Sequence, residues 1–295
     1  MRAALLPLGL AMAACAPDFP DTPTLVDGPR ILGVRGEPAE VQPGDEVTLE
    51  VLVASPAGEV AEPAAFWSLC LTPKPPAENG PVNPVCWDEA YQVIGGPARS
   101  LSLQIPDEAC QLFGPETPPG DFRPRDADAS GGYYQPIRVS IPELAAFAFE
   151  RVQCGLSNAA ADVSIEYRDR YLANRNPEIA ALEIAVDGAV IEGDQVPAGA
   201  RLTLTARWSE SDAEVFPVLD VPSQTLVDRR EALRVSWFAT AGSFDAERSG
   251  RSAEETETFS DNGWQAPDGG VVHIWAVLRD SRGGSAWASR TLTVR

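Results

Sequence analysis

The sequence has 295 residues, of which 44% are hydrophobic, enough to bury real cores and to exclude global disorder. At roughly 100–150 residues per domain, that length suits two domains. A single histidine, His273, and a single lysine, Lys74, leave no material for a multi-histidine metal site and argue against a Ser/His/Asp hydrolase. The formal charge of −20 repels phosphate backbones, so nucleic acid is not an expected partner.

The chain opens MRAALLPLGLAMAAC. Arg2 gives a short positive end, and the apolar stretch from Ala3 to Ala14 is too short to span a bilayer permanently. Met12-Ala13-Ala14-Cys15 resembles the lipobox of bacterial lipoprotein signals. That resemblance implies removal of 1–14, acylation of Cys15 and a lipid bilayer as partner; two or three acyl chains anchor stably where one does not. Ala16 after the cysteine, by the same resemblance, favours the outer membrane. Residues 15–29, rich in Pro and Asp, are expected to form an extended tether.

The other four cysteines, Cys70, Cys86, Cys110 and Cys154, suit an exported chain in an oxidising compartment. Four cysteines allow three connectivities; Cys70–Cys86 with Cys110–Cys154 is the preferred one. Cys86 closes the Pro-rich excursion TPKPPAENGPVNPV, and closing a loop of that size contributes about 3 kcal/mol. Zinc is a weak rival without a C-x-x-C spacing or a nearby histidine.

Strands are expected at EVTLEVLVAS, with Val47, Leu49, Val51 and Val53 on one face, and at 64–71, 98–105 and 136–141. Residues 114–132 read as a polar loop. PELAAFAFERV (142–152) has the composition of a short helix, whereas DVSIEYRDRYL (162–172) alternates like a strand without excluding a helix. NRNP (174–177) marks a boundary. Beyond it, DQVPAGARLTLTAR (194–207) repeats the pattern of EVQPGDEVTLEVLV (40–53), which suggests two copies of one architecture. Six strands follow from the second half: 181–186, 201–208, 233–240, 255–260, 271–280 and 285–294.

LRVSWFATAGSF, WQAP and VHIWAVLRDSRGGSAWASRTLTV resemble bacterial immunoglobulin-like and PKD-type repeats, with a Trp-bearing strand and a closing Asp-x-x-Gly-Gly hairpin. With the lipobox, the chain resembles bacterial outer-membrane lipoproteins built from such domains. The fold class expected is all-β: two immunoglobulin-like β-sandwiches in tandem, the first with long insertions and a short helix. The boundaries expected are a signal peptide at 1–14, a lipidated tether at 15–29, a disulfide-bearing sandwich at 30–173 and a second sandwich at 174–295.

Trp237 shares a face with Leu233, Val235 and Ala239 and is expected in the core. Phe238, His273, Trp275 and Trp287 project to the opposite face of neighbouring strands, because a hairpin about Arg282 sets residue 277 opposite 287. These four form a candidate binding patch, unless the insertion 210–232 or the first domain covers it. Glu210, Asp212, Glu214 and Asp220 follow the second strand of the second domain, a place that resembles the calcium-bearing position of cadherin-like repeats, and Asn174-x-Asn176-Pro177 resembles their junction. Such hard oxygens suit calcium, but no Asp-x-Asp pair is present and no cofactor is expected. The function expected is a non-catalytic binding, adhesion or scaffold module with a protein or polysaccharide partner at the cell surface. The alternative is polysaccharide recognition by the aromatic patch; a hydrolase or protease inhibitor using the 114–132 loop comes third.

Overall fold

The structure is a computed structural model and describes residues 22–73, 82–88, 93–112 and 129–295. Cys15, the signal segment and most of the polar loop 114–132 lie outside the described residues.

The first half contributes β1 (Arg30–Glu37), β2 (Glu40–Val41), β3 (Glu46–Ser55), β4 (Gly58–Glu59) and β5 (Phe66–Leu69). It continues with β6 (Val93–Gly95), β7 (Ser100–Gln104), the short helix α1 (Ala109–Leu112), β8 (Gly132–Ile141) and β9 (Leu144–Gln153). One sheet is centred on β3, flanked by β1 on one edge and by β4 and β7 on the other. The facing sheet runs β2-β9-β8-β5-β6. Alternation in β3 sends Val47, Leu49, Val51 and Val53 into the core, where they meet Trp67, Ile137, Val139 and Val152. Trp67 donates its indole N–H to the Ala98 carbonyl at 3.0 Å, which lets the ring be fully buried.

Helix α2 (Ala161–Arg170) precedes the second half. Its sheets are built from β10 (Ala181–Val186), β11 (Ala189–Val190), β12 (Gln195–Val196), β13 (Arg201–Arg207), β14 (Val215–Asp220) and β15 (Thr225–Arg230). They are completed by β16 (Leu233–Ala239), β17 (Ser243–Phe244), β18 (Arg248–Arg251), β19 (Phe259–Gln265), β20 (Gly270–Arg279) and β21 (Ser285–Val294). The sheets β11-β10-β13-β19-β17 and β12-β21-β20-β16-β18 enclose a second core around Trp237 and Trp264. Trp237 donates to Ser249 Oγ at 2.8 Å. The chain is therefore all-β, with two immunoglobulin-like sandwiches in tandem.

Both disulfides form, Cys70–Cys86 and Cys110–Cys154, each with a Cα–Cα distance of 5.5 Å. The first clips the segment 82–88 against the outside of β8–β9, over Phe147.

Four sequence expectations need correction. Residues 142–152 are strand, not helix: β8 and β9 pair along their whole length about a Pro142-Glu143 turn, with Glu143 at φ 66°. Cross-strand pairing overrides the helical preference of the alanines. Residues 162–172 are mostly helix, because spacings of four unite Glu166 with Arg170 in an ion pair and set Tyr167 on Tyr171, rings stacked at 4.8 Å. The strand sought at 255–260 begins at Phe259 and runs to Gln265. The insertion 210–232 holds its own hairpin, β14–β15, whose Phe216 and Val218 pack on Tyr167 and Tyr171.

The tether expected at 15–29 is not free throughout. Val26 N donates to Ala239 O at 2.8 Å, and Ala239 N to Thr24 O at 2.9 Å. Val26 is fully buried, so this segment docks on the edge of β16.

Candidate functional site

The residues of the aromatic patch come together as the hairpin register requires. Phe238 pairs with Trp275, Val277 with Trp287, and His273 with Thr291. The patch does not face solvent. Trp275 is 1% exposed, and Trp275 and Val277 pack against Leu32, Leu52 and Ala54 on the outer face of β1–β3 and against Val26. Phe238 and Trp287 are half-buried at the margin, with Arg30 and Arg35 over their rings at 5.5 and 4.7 Å. His273 is half-buried, 3.0 Å from Thr291 Oγ1, and its ring lies against the β3–β4 turn. Gly58 there has φ 112° and a Cβ position 3.0 Å from the imidazole, so only glycine suits this turn. The reading of this face as an open polysaccharide platform is therefore corrected: the first sandwich occupies it.

A signal for this covering was present in the sequence. Val51–Ala54 and Ile274–Leu278 are unbroken apolar runs, and every residue in them is buried. Strict alternation marks a strand with one wet face; a continuous run marks a strand covered on both.

Beside the apolar layer lies an ionic one. Arg282, at the tip of the β20–β21 hairpin, is 2% exposed and sits between the sandwiches. Its Nε donates to Glu231 at 2.8 Å, and its terminal nitrogens donate to Glu214 at 2.6 Å, Tyr171 Oη at 3.1 Å and Leu172 O at 3.0 Å. Its guanidinium stacks on Phe216 at 4.4 Å. Tyr171 Oη in turn donates to Glu40 at 2.7 Å and accepts from Arg151 at 3.2 Å. Arg151 and Glu40 are a buried pair at 3.2 Å. The hairpin tip is held by Asp280, which accepts from the backbone N–H of Arg282 and Gly284 at 2.8 Å each.

Burial dominates the electrostatics of this layer. It pushes the Tyr171 hydroxyl up to about 12 and raises Asp280. Burial opposes the charge of Arg282, but Glu231 and Tyr171 outweigh it and the guanidinium stays protonated. Glu150, inside the first sandwich, is pushed up to about 8 by burial and then by Glu40 and Glu37. Among the described residues it has no ion-pair partner and its Oε1 has no hydrogen-bond partner, as is also true of Oε1 of its cross-strand neighbour Gln135.

The acidic residues considered for calcium serve other ends. Asp212 closes a capping box with Ser209, Glu214 binds Arg175 and Arg282, and Asp220 accepts from Ser223. Asn174 donates to Asp280, and Asn176 donates to Gly36 O at 2.7 Å and accepts from Ser285 N at 2.9 Å. Among the described residues no group of three or more His, Cys, Asp or Glu side chains is placed to hold a metal. Nor is any helix among them long and apolar enough to cross a membrane.

No protein-family model matches the chain, and no curated protein matches it. Solved structures similar to it include the fibronectin(III)-like modules of CbhA from Clostridium thermocellum, at 11% identity and TM-score 0.25 over 93% of this chain and 92% of that one. The D0-D1 domain of intimin aligns at 9% identity and TM-score 0.23, over 89% and 98% of the two chains. A nucleoside hydrolase-related hypothetical protein from Saccharophagus degradans aligns at 20% identity and TM-score 0.23, over 42% of this chain and 26% of that one. At these scores the fold assignment rests on the sheets described above.

Proposed function

We propose that the protein is a lipid-anchored, non-catalytic surface module of the bacterial outer membrane, in which two sandwiches act as one stiff arm presenting a protein- or glycan-binding face. The observation that carries this reading is the joint. An apolar layer around Trp275 and an ionic layer around Arg282 lock sandwich to sandwich. Arg279 to Leu32 O at 2.9 Å and Asn176 to Gly36 O at 2.7 Å add crossing hydrogen bonds. The ionic groups of the joint bind one another, as structural ion networks do. Two disulfides and the Met12–Cys15 lipobox support an exported, anchored chain.

The anchor is tested by expressing the full chain in a Gram-negative host fed labelled palmitate. Wild type is expected to take up label and to sediment with outer membranes; Cys15→Ser is expected to lose both. Equal labelling of the two proteins, or unlabelled wild type in the cytosol, overturns the reading.

A further inference from the structure

The sheet β2-β9-β8-β5-β6 meets the second sandwich at the Tyr134–Arg151 end of its outer face, where Tyr134 Oη donates to Arg282 O at 3.2 Å, and the rows beyond that end carry exposed side chains. Register sets three rows across it: Pro136 beside Phe149, Ser68–Arg138–Phe147, and Phe66–Ser140–Ala145. Phe149 and Phe66 are 39% and 42% exposed, and Trp87, held edge-on to Phe147 at 4.8 Å, is 51% exposed. From the Pro136 row to the Ser140 row is about 13 Å at the usual rise per residue. In the middle stands Arg138. Its Nε is buried without a hydrogen-bond partner, and its guanidinium forms no ion pair among the described residues. The carboxylates flanking the face, Asp88 and Glu143, are exposed and do not pair with it. In a chain with 43 acidic and 23 basic residues, a cation with no counter-ion among the described residues is unusual.

We propose that this face binds a glycan carrying a carboxylate, a uronate-type sugar, with the rings of Trp87, Phe149 and Phe66 under the pyranoses and Arg138 on the carboxylate. This deepens the surface-module reading by naming the partner, and it does not depend on the anchor. A pyranose uronate offers what the face can use: an apolar C–H surface for an aromatic ring and one planar carboxylate for a guanidinium fork. A peptide is less suited. β8 is paired on both sides, so its backbone has no hydrogen bonds to give an added strand, which would have to go to the edge. A second copy is disfavoured because a two-fold contact through this face would oppose Arg138 with its own copy. The overall negative charge is screened beyond about 8 Å at physiological salt, which favours a short, sparsely charged glycan over a dense polyanion.

The test is calorimetric titration of the full chain in detergent with tri-galacturonate, the matching neutral galactose trisaccharide and a glutamate tripeptide. Tri-galacturonate is expected to bind at least about tenfold more tightly than either. Arg138→Gln is expected to lose that margin, Arg138→Lys to keep part of it, and Trp87→Ala and Phe149→Ala to weaken both sugars. All four variants should keep the wild-type melting temperature within a few degrees, and the exposed Trp87 and Phe149 variants serve if an Arg138 variant misfolds. No saturable tri-galacturonate binding by about 10 mM overturns the proposal. So does equal binding of the peptide, or binding that Arg138→Gln and Trp87→Ala leave unchanged. Any of these leaves palmitate labelling of Cys15 as an independent result.

Discussion

Two aromatic sheet faces, one in each sandwich, have opposite fates. On β16–β20–β21, Phe238, Trp275 and Trp287 meet an apolar partner face on β1–β3, and Trp275 disappears from solvent. On β5–β8–β9, Phe66, Phe149 and the neighbouring Trp87 stay exposed around Arg138, which forms no ion pair among the described residues. The covered face has its cations above the ring margins, where Arg35 also pairs with Glu50 at 2.7 Å. The open face has its cation in the centre. An aromatic face with a central charge cannot be sealed by another apolar sheet without stranding that charge, whereas one with a purely apolar centre can.

Substitutions should separate the two faces. The largest effect is expected at Trp275→Ala, which removes a fully buried ring from the joint and should cost about 3–5 kcal/mol in urea unfolding. Phe149→Ala on the open face should stay within about 0.5 kcal/mol of wild type. Similar losses from both would mean that the faces are equally covered. In the ionic layer, Arg282→Ala strands Glu231 and Glu214 and should cost about 3–5 kcal/mol by the same measurement. A loss below about 1 kcal/mol would show that the network adds no rigidity to the joint.

A further effect should appear as pH dependence. Glu150 is lifted from an ordinary 4.5 to about 8, so the fold favours its neutral form. Its contribution is complete below about pH 4.5 and is lost as the pH rises through about 8. Glu150→Gln keeps the shape and removes the proton. The variant should match wild type at pH 4 and exceed it at pH 9, by up to about 5 kcal/mol from the size of the shift. A constant difference across that range would mean that Glu150 is ionised in the fold throughout. Glu231, also pushed up to about 8 by burial, titrates alike in both proteins, so their difference isolates Glu150.

The β-sandwich architecture was legible because its signals are local. Val47 to Val53 alternate, Trp237 falls on the core face, and the hairpin about Arg282 sets Val277 against Trp287 as counting requires. The errors came where local composition was ambiguous. Alanines at 145–148 suit helix or strand, and only the pairing with β8 decided; Val163, Ile165 and Tyr167 alternate, yet the spacing of Tyr167 and Tyr171 suits a helix. The candidate patch was assembled from residues that do share a face, with covering by the first domain left open, and the unbroken run Ile274–Leu278 was the signal that pointed to two covered faces. Arg138 and Arg282 could not be told apart from other arginines by any pattern.

By itself the chain determined its clearly alternating strands, its two cores, its disulfide-forming cysteines and which side chains of those strands share a face, since these follow from periods of two and from the chemistry of single residues. Only the tertiary structure decided which face meets which. Docking β1–β3 onto β16–β20–β21 brings together Leu32, Leu52 and Trp275, and Glu40, Tyr171 and Arg282. Trp275 lies more than two hundred positions from Leu32 and Leu52, and Tyr171 more than a hundred from Glu40 and from Arg282; their meeting depends on surface shape and on the balance of buried charge, neither of which a linear pattern encodes.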